Sequence, residues 1–311
     1  MAAFAHIPVL LEECMQGLCL KDNGIYFDGT LGGAGHSKEI LRRTKGSRLI
    51  ATDLDLDAIA AARENLSEFE GRFQIFHSNF KEFETVLDEA GAEKLDGAIL
   101  DLGISSYQID NDMRGFSYMA GDAPLDMRMD REQELTAADI LNKESKERLT
   151  QIFRDYGEER FASQIAAEVV RRREENPFRY ARDLTQVVAD VIPYKFQQNG
   201  PPQRKVFQAL RIAVNQELEG LYECILALAR RLKPEGRLVI ISFHSLEDRI
   251  VKTAYNYLAA DCICPKNIPV CICGKRSEIK IVNNRPITAT PKEIALNPRA
   301  SSAKLRVAER I

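Results

Sequence analysis

Four stretches of the chain concentrate side chains able to do chemistry. The run Asp28-Gly29-Thr30-Leu31-Gly32-Gly33-Ala34-Gly35-His36 leads from an apolar segment into a helical one. Its glycines permit a tight turn and let a ligand approach the backbone, at the carboxyl edge of a sheet where α/β folds bind ligands. Asp53 ends the next strand-like segment, at the spacing of about twenty residues from which an acidic side chain reaches ribose hydroxyls in a nucleoside-binding βαβ unit. The second stretch runs from Asp101 to Asp110 and is followed by Arg114 to Ser117 and Pro124 to Asp130; such a density of polar residues past a strand end is that of an active-site rim. The third is Ser242 to Arg249. Within it Ser245, with Glu247 and Asp248 behind it, reads as an N-cap with dipole-matched acids, while His244 suits either a substrate contact or a structural hydrogen bond. The fourth pairs Cys262-x-Cys264-Pro265 with Cys271-x-Cys273-Gly274. Thiolates bind zinc tightly, which makes a metal knuckle one reading. The Cys-x-Cys spacing is tighter than the usual Cys-x-x-Cys, and a reduced loop without metal is the other. His77, at a strand end, reads as structural.

The elements that must position these residues are legible from hydrophobic pattern. Short apolar runs alternate with amphipathic stretches, which predicts βαβ units and a parallel sheet, an α/β fold. Strands are expected at 25–28, 48–53, 73–77 and 97–102, with helices at 37–43, 57–66 and 83–90. A fifth strand, 237–243, follows the turn Lys233-Pro234-Glu235-Gly236. Before that turn Leu210, Val214, Leu218, Leu221, Ile225, Leu228 and Leu232 recur at three- and four-residue intervals, which predicts one long helix. The fourth and fifth strands lie more than about 130 residues apart, where a crossover needs roughly thirty, so roughly a hundred residues are an insertion. Helices are expected there at 146–153, 161–173 and 181–191, punctuated by Asn176-Pro177 and Asn199-Gly200-Pro201-Pro202. The expected organisation is a discontinuous sheet domain, 1–105 with 216–311, and a mainly helical inserted domain, 106–215, that recognises substrate. After the fifth strand come a helix, the cysteine loop and strand candidates at 279–282 and 304–307.

Composition bounds the function classes. At 311 residues, with 45% hydrophobic and 29% charged residues, the chain is ordinary globular material, neither disordered nor membrane-embedded. Its longest apolar runs, such as Leu238 to Ile241, are far short of the roughly 20 residues of a membrane helix. The start, MAAFAHIPVLLEE, lacks a basic n-region, which argues against a signal peptide and for the cytoplasm. Seven cysteines, an odd count in a reducing compartment, do not suggest a disulfide framework. The net charge of -3 means that any nucleic-acid contact must come from local patches. From Lys143 to Asn215 there are 14 Lys+Arg against 10 Asp+Glu, a mild excess that solvated helix faces also explain. Arg171, Arg172 and Arg173 close a helix with a cationic last turn, which suits the helix dipole as well as RNA phosphate.

Glycines alone do not choose the cofactor, since nicotinamide enzymes use the same device. Here the pattern is Asp-x-Thr-x-Gly-Gly-Ala-Gly instead of Gly-x-Gly-x-x-Gly, and it resembles the first motif of Rossmann-like methyltransferases, with Thr30 where many carry glycine. The Lys-Pro-Glu-Gly turn is similar to theirs too. Asp53, Asp55 and Asp57 would repel a diphosphate but not a cationic sulfonium, which favours S-adenosylmethionine.

The resemblance extends along the chain. His6-x-Pro8-Val9-Leu10-Leu11-x-Glu13, the 28–37 loop, 101–108, 114–117, 124–130, Gly157-Glu158-Glu159-Arg160-Phe161, 242–249 and the tail from Asn297 to Arg306 together resemble the ribosomal RNA small subunit methyltransferase H (MraW) family. That resemblance implies a Rossmann-like S-adenosylmethionine-dependent methyltransferase domain with a helical insertion. It implies methyl transfer to N4 of a cytidine in the decoding region of 16S ribosomal RNA, with that RNA, within the small ribosomal subunit, as partner. By motif position, cofactor contacts are implied for Ala34, Gly35, His36, Asp53, Phe80, Asp101 and Gln108. An exocyclic amine is a poor nucleophile because its lone pair is delocalised, so alignment and a proton acceptor are needed. Amino-methyltransferases of DNA place Asn or Asp-Pro-Pro-Tyr after the fourth strand; here Asp101-Leu102-Gly103-Ile104 stands instead, which leaves the acceptor open among Asp101, Ser105, Ser106 and His244. Two rivals remain: a nicotinamide-dependent oxidoreductase of shared fold, and an RNA-binding assembly factor that keeps the fold without the chemistry.

Overall fold

The structure is a computed structural model that describes residues 8–198, 200–265 and 270–311; His6 of the first motif and Asn199 lie outside the described residues. Two compact units divide the chain, residues 1–103 with 218–311 and residues 104–217.

The first unit is built on a seven-stranded sheet. Its strands are β1 (Ile25–Asp28), β2 (Arg48–Asp53), β3 (Phe73–His77), β4 (Leu95–Asp101), β5 (Leu232–Ser242), β6 (Ile279–Ile281) and β7 (Lys304–Arg310), in the order β3-β2-β1-β4-β5-β7-β6. The first five run parallel, and β7 lies antiparallel between β5 and β6. This is the expected Rossmann-like α/β sheet. Strand order reverses between β1 and β4, and the carboxyl ends flanking such a switch point open into the ligand crevice of open α/β sheets.

Central strands covered on both faces read as continuous apolar runs, with neighbours alternating between two cores. Phe27, Ile50, Ala98, Leu100, Leu238 and Ile240 pack on one face with α4 (Phe83–Glu89), α12 (Leu221–Arg230) and α13 (Ser245–Ala259). Tyr26, Leu49, Ala51, Ile99, Val239 and Ile241 pack on the other with α1 (Leu11–Leu18), α2 (Gly35–Arg43) and α3 (Leu56–Asn65). A last helix, α14 (Pro291–Leu296), precedes β7; its Glu293 accepts the Leu10 amide at 2.7 Å.

The second unit is helical: α5 (Ser106–Asp110), α6 (Ala137–Lys143), α7 (Lys146–Asp155), α8 (Ala162–Arg173), α9 (Ala181–Val191), α10 (Tyr194–Gln197) and α11 (Gln203–Asn215). It has its own core, including Phe153, Ile165, Leu184, Val188 and Leu210.

Two expectations fail locally. The single long helix is instead α11 and α12, because Gln216 (φ 49°) and Gly220 (φ 69°) enter the left-handed region and end the helical ladder between them, while Leu232 belongs to β5. Three- and four-residue spacing persists across such a break, so periodicity alone does not reveal it. The turn at Lys233–Gly236 is an excursion inside β5: Leu232 pairs with Leu95 and Arg237 with Gly97, with a register shift between them. Glu235 adopts φ 64°, and a Cβ on Gly236 would lie 2.8 Å from the Lys233 carbonyl oxygen, so glycine is needed where the excursion rejoins the ladder.

Candidate functional site

The glycine loop is held by carboxylates. Asp28, at the end of β1, accepts the Thr30 amide at 3.1 Å and the Ser37 hydroxyl at 2.6 Å. Its burial pushes its pKa up to about 6 against the pull of those two bonds. Gly32 adopts φ 50°, and its amide donates to Asp53 Oδ2 at 2.7 Å, while the Asp55 amide donates to Oδ1 at 2.8 Å. Burial raises the pKa of Asp53 as well. Ala34 enters α2 at φ 62°, a left-handed conformation that costs a non-glycine residue roughly 1–3 kcal/mol and that clusters at ligand clamps. Nothing lies within 4 Å of a Cβ built on Gly33, whereas one on Gly35 would meet Pro8 Cγ at 2.3 Å. Gly33 therefore has open space beside its backbone, and Gly35 is required by the close approach of Pro8.

Asp101 ends β4. Its amide donates to Thr30 Oγ1 at 2.6 Å, which ties the strand end to the loop. Oδ2 lies 3.8 Å from His36 Nδ1, and Oδ1 is buried without a hydrogen-bond partner. His36 Nε2 lies 3.0 Å from the Val9 carbonyl oxygen. Only a protonated Nε2 can donate to that oxygen, so in this contact the ring donates through Nε2. Burial, then the negative charges of Asp28 and Glu247, push the Asp101 pKa up to about 8. At neutral pH it holds its proton. Phe80 opens the 3-10 turn that follows β3. A Cβ on Gly29 would sit 2.4 Å from Leu100 Cδ2 and 2.9 Å from the Phe80 Cβ, so glycine is needed where these two residues close on the loop. Ala34, Gly35, His36, Asp53, Phe80 and Asp101 thus stand at the carboxyl ends of four adjacent strands.

The cap of α13 differs from expectation. Its N-cap is His244, whose Nδ1 accepts the Glu247 amide at 3.4 Å, and Ser245 is the first helical residue. Glu247 reaches back to accept the Phe243 amide at 2.8 Å and lies 3.2 Å from His244 Nε2. An imidazole takes the place of the usual hydroxyl in a capping box. In the helical unit Ser105 and Gln108 form another such box. The Gln108 amide donates to Ser105 Oγ at 3.2 Å and the Ser105 amide to Gln108 Oε1 at 3.0 Å. The side chain of Ser106 lies outside the described residues.

Much of the polar stretch beyond β4 is scaffold. Arg114 is buried and donates to the carbonyls of Arg128 and Met129 at 2.9 and 3.0 Å. Arg128 pairs with Asp126 at 2.8 Å, and Gly115 (φ 74°) would set a Cβ 2.1 Å from the Pro124 carbonyl oxygen. The Arg-Gly-Phe-Ser and Pro-Leu-Asp-Met-Arg motifs therefore lock one another in place. In the C-terminal tail, Arg306 and Lys304 hold Asp248 of α13 at 2.7 and 3.2 Å.

Against known proteins, residues 3–311 match the MraW methylase family. The chain belongs to that family. Ribosomal RNA small subunit methyltransferase H of Clostridium botulinum (strain Loch Maree / Type A3) is 47% identical over 309 residues, covering 99% of each chain. The protein of the same name from Geobacter sp. (strain M21) is 49% identical over 313 residues, covering 100% of both.

As a family member the protein is an S-adenosylmethionine-dependent methyltransferase. Its own residues fit that cofactor. Gly33 leaves room beside the backbone, and Asp101 offers an unpartnered buried oxygen. Asp28, Asp53 and Asp101 all have raised pKa values, a strain that a cationic sulfonium relieves and a diphosphate worsens. That preference disfavours a nicotinamide dinucleotide.

The supporting bonds of three residues, Thr30, Ser37 and Glu247, escape a reading of the sequence as motif alone. A hydroxyl nine residues past a buried strand-end aspartate signals Ser37, since such a carboxylate needs donors, whereas Thr30 serves Asp28 through its amide and spends its hydroxyl oxygen on the Asp101 amide, which no spacing signals. For Glu247 the signal is its place three residues past His244, the capping-box spacing.

Proposed function

We propose that the protein transfers a methyl group from S-adenosylmethionine to N4 of a cytidine in the decoding region of 16S ribosomal RNA, acting in the cytoplasm on the small ribosomal subunit. The observation that carries this reading is full-length identity of 47 to 49% to proteins named ribosomal RNA small subunit methyltransferase H. When bound, the cofactor supplies an electrophilic methyl group on a positively charged sulfur.

The protein's own contribution is orientation and proton control. Ala34, Gly35, His36, Asp53 and Phe80 form the cofactor cradle, with Gln108 assigned to it by family motif. Asp101 is the residue best suited to hold or take a proton at Oδ1, because that oxygen is buried and has no competing donor. His36, anchored on Val9, stands 3.8 Å from the other oxygen. Ser105, Ser106 and His244 remain substrate-side candidates, and the capping bonds of Ser105 and His244 favour positioning over proton transfer. Reaching N4 requires an unpaired or extruded cytidine.

The helical unit is proposed to recognise the RNA. There Arg160 lies 5.2 Å from the centre of the Phe196 ring and Lys195 5.0 Å. Phe161 and Phe196 are 5.3 Å apart, and Tyr194 is 77% exposed. Aromatic rings beside cations suit stacking of unpaired bases. Labelled methyl transfer to free 16S RNA and to small subunits lacking the modification tests the reading. Incorporation into either supports it, and no incorporation by protein that binds the cofactor returns the assembly-factor alternative.

A further inference from the structure

The cysteine loop lies apart from the carboxyl-end site, between α13 and the edge strand β6. Its foot is closed by the Glu278 amide on the Leu258 carbonyl at 2.8 Å and the Ser277 amide on Asp261 at 3.2 Å. Above the foot little apolar burial holds it: Ile263, Val270 and Ile272 are 50, 70 and 77% exposed. Yet four sulfurs from its two arms converge, all within 4.8 Å of one another.

We propose that Cys262, Cys264, Cys271 and Cys273 form a tetrathiolate zinc site that staples this loop. Sγ of Cys264 and Cys271 are 4.0 Å apart, Cys271 and Cys273 3.6 Å, and Cys273 and Cys262 3.8 Å. A tetrahedron with Zn–S bonds of about 2.3 Å has sulfur–sulfur edges of about 3.8 Å. A disulfide needs about 2.05 Å, and thiols that merely share a loop have no reason to gather as a foursome. The backbone is arranged to match. The Ile263 amide donates to Cys273 Sγ and the Ile272 amide to Cys264 Sγ, each at 3.4 Å. Each arm's middle residue thus serves the second sulfur of the other arm. The Cys264 amide adds a third bond to Cys262 Sγ at 3.4 Å. Amide donors stabilise thiolate charge, the form that binds metal. The pairwise exchange makes the single-residue spacing workable, because each Cys-x-Cys supplies one edge of the tetrahedron and the crossing amides set the two edges against each other. Zinc binding displaces the thiol protons to solvent and changes no oxidation state.

The test uses the full chain, purified without chelator from zinc-supplemented cells, with metal measured by elemental analysis and native mass spectrometry. About one zinc per chain is expected. Cys264→Ser and Cys273→Ser should fall below a tenth of that, while Cys19→Ser, outside the cluster, retains it. Cobalt loaded in place of zinc should give the intense visible bands of a tetrahedral thiolate complex in the wild type and in Cys19→Ser, and not in the two cluster variants. Circular dichroism and cofactor binding confirm that each variant is folded. Hydrogen exchange should rise in 260–265 and 270–281 on zinc removal and stay unchanged in β1 to β4. Protein that takes up no zinc when supplied, binds iron in its place, or shows a mass two hydrogens lighter per oxidised pair would overturn the assignment.

Discussion

Replacing Asp101 by asparagine keeps the shape of the side chain and removes its charge. In the cofactor-free protein the Asp101 pKa stands at about 8 against an ordinary 3.8, and each unit is worth about 1.4 kcal/mol. Full ionisation would on that basis cost the fold on the order of 6 kcal/mol. A quarter of the side-chain surface still meets solvent, and hydration and relaxation reduce the effective penalty to about 2–4 kcal/mol. The sign follows from proton counting. Below about pH 4 both folded and unfolded chains hold the proton. Between about 4 and 8 the unfolded chain has released it and the folded one has not, so stability falls as pH rises and levels off above about 8. The Asp101→Asn protein lacks this slope. At about 2 °C per kcal/mol for a chain of this size, the variant should gain roughly 4–8 °C in Tm over the wild type between pH 5 and pH 8.5, read by scanning calorimetry. A cation at the site reverses the preference, so S-adenosylmethionine should bind the wild type more tightly as pH rises from 6 to 8, with proton release measured by titration calorimetry in buffers of different ionisation enthalpy. The demethylated product, an uncharged thioether, should show a weaker trend. Parallel Tm curves for wild type and variant, with no proton release on binding, would refute the buried-acid reasoning. Wild-type turnover in Asp101→Asn with normal cofactor binding would remove Asp101 from proton transfer.

Ser37→Ala deletes the 2.6 Å bond to Asp28 and should cost about 1.5–3 kcal/mol at pH 8, but less at pH 5, where Asp28 is mostly protonated; denaturant melts at the two pH values check this. Gly35→Ala drives a Cβ into Pro8 and should weaken cofactor binding severalfold by displacing the loop, with helix content unchanged by circular dichroism. Gly115→Ala opposes both a φ of 74° and the Pro124 carbonyl; it should destabilise the helical unit by about 1–3 kcal/mol, seen as faster hydrogen exchange across 114–129. Phe196→Ala should lower affinity for unpaired RNA by about 1–3 kcal/mol if one base stacks there, measured by fluorescence anisotropy, without altering cofactor affinity.

The parallel sheet was legible because its strands are short apolar runs bounded by glycine and charge. β1, β2 and β3 start and stop where the pattern says, and the ends of β2 and β4 carry the two acids, Asp53 and Asp101, singled out on spacing and polarity. The α11–α12 break was not legible, since Gln216 carries no helix-ending signature and the apolar spacing runs through it. At α13 the expectation of a serine cap rested on residue preference, and an imidazole one position earlier made the bond instead. The polar stretch past β4 read as rim because sequence shows how many polar groups a loop carries but not whether they satisfy one another. Arg114 does so through the carbonyls of Arg128 and Met129, and Asp126 and Arg128 through each other. The raised pKa of Asp101 was also beyond reach: it depends first on burial and then on the charges of Asp28 and Glu247, which only the fold supplies. Among the described residues no helix is long and apolar enough to cross a membrane, in keeping with the hydropathy of the chain.

The most direct measurement is the chemical identity of the methylated nucleoside. 16S RNA or small subunits lacking the modification are incubated with the protein and isotopically labelled S-adenosylmethionine, digested to nucleosides, and resolved by chromatography with mass detection against standards. Label co-migrating with N4-methylcytidine is the expected result. Label in 5-methylcytidine, in a ribose methyl group or in protein would contradict the assignment of the exocyclic amine as acceptor, and with it the role given to Asp101.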